Sequence, residues 1–416
     1  MKQKWKTLWI AAIGSTLEVY DFTLYAVMIQ LLAVKFFPQT DPTASLLFSL
    51  ATFASGFLIR PISAILWGYL GDRFGRRIAL SYTMLAMAAP TCLIGLLPTY
   101  DQAGIFATIA LICCRILQGA SMSGEFNGAM IFVLEHHAKE QQGKMSGILN
   151  AINTVGVIVA TCFGLLAAAP GMPEWAWRVP FLLGAGIGLC GFLVRRTLTE
   201  SPLYETLSAN KEQAKNPLKE ALRLKSASFM TFLQASCNGL ITYTMISFMG
   251  IYMSKYLQFS TGLVLSLSLL LLITSAVAEM AAGCLIDKIG CPRVLRATAS
   301  FIIASVTPAF YFLGSSNFSL VITSILICGT FFGAFAVATH VFIQNLFPTR
   351  SRYSGVAFCY NVGTSLVGGT APYLITRAIT ETGNLLMPAW ILLAAILIYF
   401  TIFQRFVKTK EVLIPC

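Results

Sequence analysis

Long apolar runs separated by short polar breaks occupy nearly the whole chain. They fall near residues 8–36, 45–70, 78–97, 103–130, 144–168, 178–195, 227–250, 261–284, 295–313, 318–345, 354–377 and 386–404. A helix rises 1.5 Å per residue, so about 20 apolar residues cross a hydrocarbon core of roughly 30 Å. The pattern predicts an all-α polytopic membrane protein with twelve transmembrane helices, and an even number of crossings leaves both termini on one side. The first run follows Lys2, Lys4 and Lys6, as a secretion signal would. It continues to Phe36, however, and contains Glu18 and Asp21, so it reads as an uncleaved first span.

Composition sharpens this picture. Of 416 residues, 56% are hydrophobic and 11% charged, with mean hydropathy +0.74. Soluble chains usually carry about 25% charged residues. A soluble enzyme, a secreted disulfide scaffold and a disordered chain are excluded on that ground. The net charge of +12 does not point to nucleic acid, because the basic residues lie in the breaks between spans. Loops on the N-terminal side hold 23 of the 29 Lys and Arg, which by the positive-inside rule places both termini in the cytoplasm of a bacterial inner membrane. The eleven Cys lie mostly within apolar runs, without Cys-x-x-Cys spacing, and read as small buried residues. His136, His137 and His340 are too few for a haem or di-metal site, so no cofactor or metal is expected.

An internal repeat divides the chain. Gly68-Tyr-Leu70-Gly-Asp72-Arg73-Phe-Gly75 returns as Gly283-Cys-Leu285-Ile-Asp287-Lys288-Ile-Gly290, at an offset of 215. The expected organisation is two pseudo-symmetric six-helix bundles, residues 1–195 and 226–416, joined by a polar cytoplasmic linker, 196–225, with substrate handled between the bundles.

Ionisable residues inside spans are costly in hydrocarbon and mark ion or substrate paths. Asp21 lies about 20 Å along span one from the cytoplasmic end, Arg60 about 15 Å along span two and Arg115 about 22 Å along span four. These three share one slab near mid-membrane, and Glu18 falls on roughly the same side of its helix as Asp21. A carboxylate beside an arginine has a tunable proton affinity, as proton coupling requires. Gln118 and Glu125 lie on one face of span four. Glu125, near the cytoplasmic end, is a candidate proton exit station or gate residue. Glu18, Asp21, Arg60, Arg115, Gln118 and Glu125 thus form the candidate coupling and substrate centre. In the second half Gln234, Asn238 and Tyr243 on span seven, with Tyr360 and Asn361 on span eleven, are candidates to line a polar cavity. Glu279 and His340 lie at similar depth and could pair with each other or with Arg350 and Arg352. Glu135 reads as loop or headgroup region. Trp175, Trp177 and Arg178 read as interfacial anchors.

Several blocks resemble a known family. Gly68 to Arg77, with its weaker copy at 283–293, resembles the loop 2–3 signature of the major facilitator superfamily. Leu17-Glu-Val-Tyr-Asp-Phe22, Phe57-Leu-Ile-Arg-Pro61, Arg115-Ile-Leu-Gln-Gly119 with Gly124-Glu125, Trp177-Arg-Val-Pro-Phe181 and Phe347-Pro-Thr-Arg-Ser-Arg-Tyr-Ser-Gly355 look like its metabolite–proton symporter branch. That branch includes transporters of proline and betaine, α-ketoglutarate, citrate and shikimate. Val19 stands where the branch usually has Trp, Asn345 where an acidic residue is common, and Cys291-Pro292 replace a basic pair.

The resemblance implies a gating loop that latches the cytoplasmic side, here Gly68, Asp72, Arg73, Gly75 and Arg76, with Asp287 in the second copy. Asp72 is placed to accept hydrogen bonds from free backbone N–H groups where span eleven begins, near Ser351 to Gly355. The chain thus reads as a proton-coupled symporter, not an enzyme, importing a small carboxylate-bearing metabolite by alternating access. An amino acid or betaine comes first and an organic acid second. An uncoupled facilitator and a drug–proton antiporter of the same fold are the alternatives. The expected partners are substrate, proton and membrane lipid, with the chain a monomer.

Overall fold

The computed structural model describes residues 2–38, 49, 52, 55–167, 169 and 171–410. Every regular element among them is helical. Span one comprises Lys2–Val27 and Ile29–Phe36, with a break at Met28. Span two is described as Arg60–Arg73; much of the apolar run expected from residue 45 lies outside the described residues. Spans three to six are Arg76–Leu96, Ile105–His136, Gln142–Ala167 and Arg178–Arg195. Spans eight, nine, ten and twelve are Thr261–Ile289, Cys291–Leu313, Phe318–Gln344 and Met387–Lys410.

Spans seven and eleven are interrupted. Span seven starts as Lys225–Tyr243 and passes through wide turns at Thr244–Phe248 and Tyr252–Tyr256. Span eleven starts as Arg352–Gly363, widens over Thr364–Gly368 and resumes at Ala371–Thr382. Such π-type turns are rare and cluster at functional sites. With span one broken and span two described only in part, eight described helices are individually long and apolar enough to cross a membrane.

The chain folds as two compact units. The first comprises Met1–His136, Val155–Arg223 and Thr349–Phe358; the second comprises His137–Thr154, Leu224–Pro348 and Cys359–Cys416. In the first unit, Leu17, Tyr20, Leu24, Tyr25 and Met28 pack with Phe181 and Trp177 into one apolar cluster. Trp177 is therefore a core residue, stacked edge-on against Phe36, and only Trp175 is exposed as an interfacial residue would be. Arg178 donates to the carbonyls of Gly95 and Leu97, so it closes the end of span three. In the second unit, Phe335, Tyr399, Phe403 and Phe342 form a run of ring contacts joining spans ten and twelve.

The repeated motif does the same mechanical work in each unit. A Cβ on Gly68 would stand 2.6 Å from Ser354 Cα, and one on Gly283 would stand 2.5 Å from the Gly143 carbonyl oxygen. Both positions must be glycine for two helix backbones to approach that closely. Asp72 accepts from the backbone N–H groups of Tyr353 and Ser354 at 3.2 and 2.8 Å. Asp287 accepts from those of Gly143 and Lys144 at 2.7 and 2.8 Å. Each carboxylate thereby satisfies donors at a helix start that have no partner within their own helix. This is why the first turns of span eleven fold with the first unit, and those of span five with the second.

Residues 196–225, whose conformation the sequence left open, contain two helices, Pro202–Ala209 and Pro217–Arg223. Ser201 caps the first by accepting from the Tyr204 N–H, and Pro stands in the first turn of each, where its missing donor costs nothing.

Candidate functional site

Asp21 is fully buried on span one. Its Oδ2 accepts from the Thr91 hydroxyl at 2.5 Å, and Thr91 Oγ1 accepts from Gln118 Nε2 at 2.7 Å. Gln118 Oε1 in turn accepts from Arg115 Nη1 at 2.8 Å. A continuous polar chain thus runs from carboxylate to guanidinium across spans one, three and four. Asp21 Oδ1 has no hydrogen-bond partner among the described residues, and Gly184 leaves the space beside it. Asp21, Phe22, Gly56, Met87, Arg115, Gln118, Gly119 and Met122 line a narrow recess.

Aromatic rings hold the two arginines. Arg115 lies 4.1 Å from the Tyr25 ring centroid, and Arg60 lies 4.3 and 4.9 Å from those of Phe57 and Phe22. Arg60 Nη2 also donates to Met122 Sδ at 2.8 Å. Ring faces attract cations, and this attraction grows away from water. The arrangement brings both guanidinium groups beside the ring of Phe22, which lines the recess, and each carries donors suited to a planar carboxylate.

Glu125 stands apart from this network. It forms a buried ion pair with Arg195, Nη2 to Oε1 at 2.5 Å and Nη1 to Oε2 at 2.8 Å, and accepts from Thr83 at 2.5 Å. Arg195 completes its shell on the carbonyls of Leu80 and Ala11. Counted by sequence among the cytoplasmic charges, Arg195 is in fact fully buried. Its place at the cytoplasmic end of span six matches the depth of Glu125 on span four, and that match was the available signal. Glu18, also buried, lies within electrostatic reach of Glu125, Arg60 and Arg195.

The loop between spans two and three is a second cluster. Arg76, fully buried, pairs with Asp72 at 3.1 Å and Glu135 at 3.2 Å and donates to the carbonyls of Gly71 and Thr349. Glu135 also takes Arg352 at 2.9 Å and the Ser201 hydroxyl. The loop or headgroup setting expected for Glu135 is therefore wrong. Nothing in the sequence breaks the helix between Met130 and His136, so span four continues and carries Glu135 into the protein. Gly75 has φ +113° and Gly290 φ +88°, a conformation that favours glycine, and each sits where the next span begins. Arg73 points outward; its carbonyl accepts from the Tyr204 hydroxyl at 2.8 Å. From the linker, Glu200 accepts from the N–H groups of Arg76, Arg77 and Ser201. Burial pushes its carboxyl above the ordinary carboxylate range, against those hydrogen bonds.

The second unit gathers some of its candidates. His340 faces Asn150 Oδ1 at 3.0 Å and the Tyr360 hydroxyl at 3.3 Å, and Asn238 donates to the same hydroxyl at 3.4 Å. Gln234 instead donates to Thr339 at 2.6 Å, Tyr243 packs near Gly368, and Asn361 is buried beside Thr364. Among the contacts of the described residues, Glu279 and His340 are joined to other groups than each other or the loop arginines. Arg350 pairs with Glu220 and Arg352 with Glu135, while Glu279 accepts from hydroxyls.

The model of the Major Facilitator Superfamily matches residues 11–372 and, again, 232–411. The chain belongs to that superfamily. It is accordingly an integral membrane protein with twelve transmembrane helices in two pseudo-symmetric bundles. The proline/betaine transporter of Escherichia coli (strain K12) is 30% identical over 403 residues, covering 93% of this chain and 80% of that protein. A putative proline/betaine transporter of Staphylococcus haemolyticus is 30% identical over 408 residues, covering 95% and 86%. Among solved structures, the proton:xylose symporter XylE bound to 6-bromo-6-deoxy-D-glucose superposes with TM-score 0.79 at 15% identity, over 98% of this chain and 96% of that one. The human organic anion transporter MFSD10 gives 0.73 at 14% identity, over 96% and 99%. At such identities the two structures speak for the superfamily fold.

Proposed function

We propose that this superfamily member is a proton-coupled symporter importing a small polar metabolite that bears a carboxylate. Amino acids and betaines are the first substrate class and organic acids the second. The observation that carries the reading is the buried Asp21, bonded through Thr91 and Gln118 to Arg115 and open on its other oxygen. Asp21 holds the coupled proton or faces the substrate's ammonium group, and Arg115 or Arg60 takes the carboxylate. The names of the two relatives support the substrate class, and a zwitterion suits a recess lined by one acid, one arginine and one aromatic ring. The residue roles assigned here, the six-helix halves 1–195 and 226–416 with linker 196–225, an inner-membrane location with cytoplasmic termini, a monomeric state and a cycle that needs only the proton gradient belong to the same proposal.

Reconstituted into proteoliposomes, the protein should accumulate labelled proline or glycine betaine under an inward proton gradient and lose it when an uncoupler is added. Asp21→Asn should abolish the uphill component while insertion and expression persist. Uphill uptake undiminished in Asp21→Asn, or uptake indifferent to the uncoupler, would sink the reading.

A further inference from the structure

A second carboxylate, Glu279, is buried in the second unit, on span eight, at 3% exposure. Thr154 Oγ1 stands 3.1 and 3.0 Å from its two oxygens, and Ser275 Oγ, one turn earlier on the same helix, stands 3.3 Å from Oε1. Both hydroxyls donate to it. On its own helix the charged groups are Asp287 and Lys288, two turns away and more. The elements packed against it carry Lys144 at the start of span five, Arg293 and Arg296 on span nine, and His340 on span ten. Lys139 and Glu140 precede span five, and Lys255 lies at the far end of span seven. Among the described residues none of these forms an ion pair with Glu279. Two hydroxyl dipoles do not neutralise an anion sealed from water, whereas one proton does.

The surroundings tie this carboxylate to a larger contact. Thr154 and Asn150 are four residues apart on span five and face the same way; Asn150 meets His340. Farther toward the start of span five, a Cβ on Gly147 would stand 2.6 Å from the Glu279 carbonyl oxygen, and Asp287 holds the N–H groups of Gly143 and Lys144. Spans eight and ten therefore grip span five over three turns, and the carboxylate of Glu279 closes the last of them.

We propose that Glu279, with Thr154 and Ser275 as its hydroxyl partners, is a second proton-binding site of the transport cycle. This rests on the proton-coupled reading above. A hydronium ion gives its proton to one Glu279 oxygen, forming an O–H bond and leaving water; the acid donates to the hydroxyl oxygen of Thr154 or Ser275, which turns from donor to acceptor. No other group changes charge. The loaded form stays gripped on span five without a bare anion, and the unloaded form carries one.

Infrared difference titration of the purified full chain in nanodiscs tests this without any substrate, by following the carbonyl stretch of protonated carboxylic acids. One component should titrate in the wild type, vanish in Glu279→Gln and return at a displaced frequency in Glu279→Asp. In proteoliposomes, with labelled proline and glycine betaine as probes, Glu279→Gln should lose at least tenfold of the gradient-driven accumulation and Glu279→Asp should keep most of it. A complete wild-type band in Glu279→Gln overturns the proposal, whatever happens to uptake. Should Glu279→Gln fail to fold, an unshifted band in Glu279→Asp overturns it equally. A wild type that shows the Glu279 component yet takes up neither these probes nor labelled organic acids overturns the symport reading while supporting protonation at Glu279.

Discussion

Thr91 is the residue on which the Asp21 network turns, because it donates to the carboxylate and accepts from Gln118 with one hydroxyl. Thr91→Val keeps the shape and removes both bonds. A hydrogen bond to a charged group contributes about 1.5–3 kcal/mol, equivalent to roughly ten- to hundredfold. Initial-rate uptake at low substrate should fall by at least the lower figure, with the amount of protein in the membrane unchanged. The charged and amide members of this network were legible in the sequence, since Asp21, Arg115 and Gln118 are conspicuous inside apolar spans. Thr91 was not. Threonines are common in membrane helices and bond their own backbone, as Thr91 also does to Met87, so nothing marks one as a link between two other side chains.

At the scale of elements, Glu125 and Arg195 lock spans four and six, with Thr83 of span three and the Ala11 carbonyl of span one completing the lock. Removing one partner of a buried ion pair strands the other charge, at a cost of about 3–5 kcal/mol, whereas replacing both with apolar groups is often neutral. Glu125→Gln should therefore lower the apparent melting temperature in detergent markedly. The double variant Glu125→Leu/Arg195→Met should recover most of that loss, and equal melting temperatures for the single and double variants would contradict the lock. Element positions were mostly readable: the starts of spans six, eight and ten lie within a residue or two of the apolar runs. The wide turns in spans seven and eleven left no trace in hydropathy, because a π-type turn changes backbone hydrogen bonding without altering which residues are apolar. The continuation of span four past Met130 was missed for a related reason, since Glu135 and His136 look like loop residues until Arg76 and Arg352 supply the opposite charge.

On the scale of the whole molecule, duplication was the strongest signal. The sequence repeat marked Asp72 and Asp287 as equivalent, and both accept from two backbone N–H groups at a helix start. Gly68→Val and Gly283→Val each drive a branched side chain into backbone at under 3 Å, so each should reduce transport to near background in proteoliposomes. A variant of either glycine with wild-type turnover would show that this close approach is dispensable. What the repeat could not reveal is which segment each carboxylate would grip, because backbone donors carry no side-chain signature.

The same offset has a further consequence when applied to the buried charges. Adding 215 takes Asp21 to Ser236, Arg60 to Ser275 and Arg115 to Thr330, while subtracting it takes Glu279 to Ala64. The glycine and aspartate framework survives in duplicate, yet each of these four deep charges exists once, faced in the sister copy by a hydroxyl or a methyl. Symmetry here belongs to the close helix approaches and the capped helix starts, whereas the charges that the proposed coupling would use are distributed unequally between the two copies.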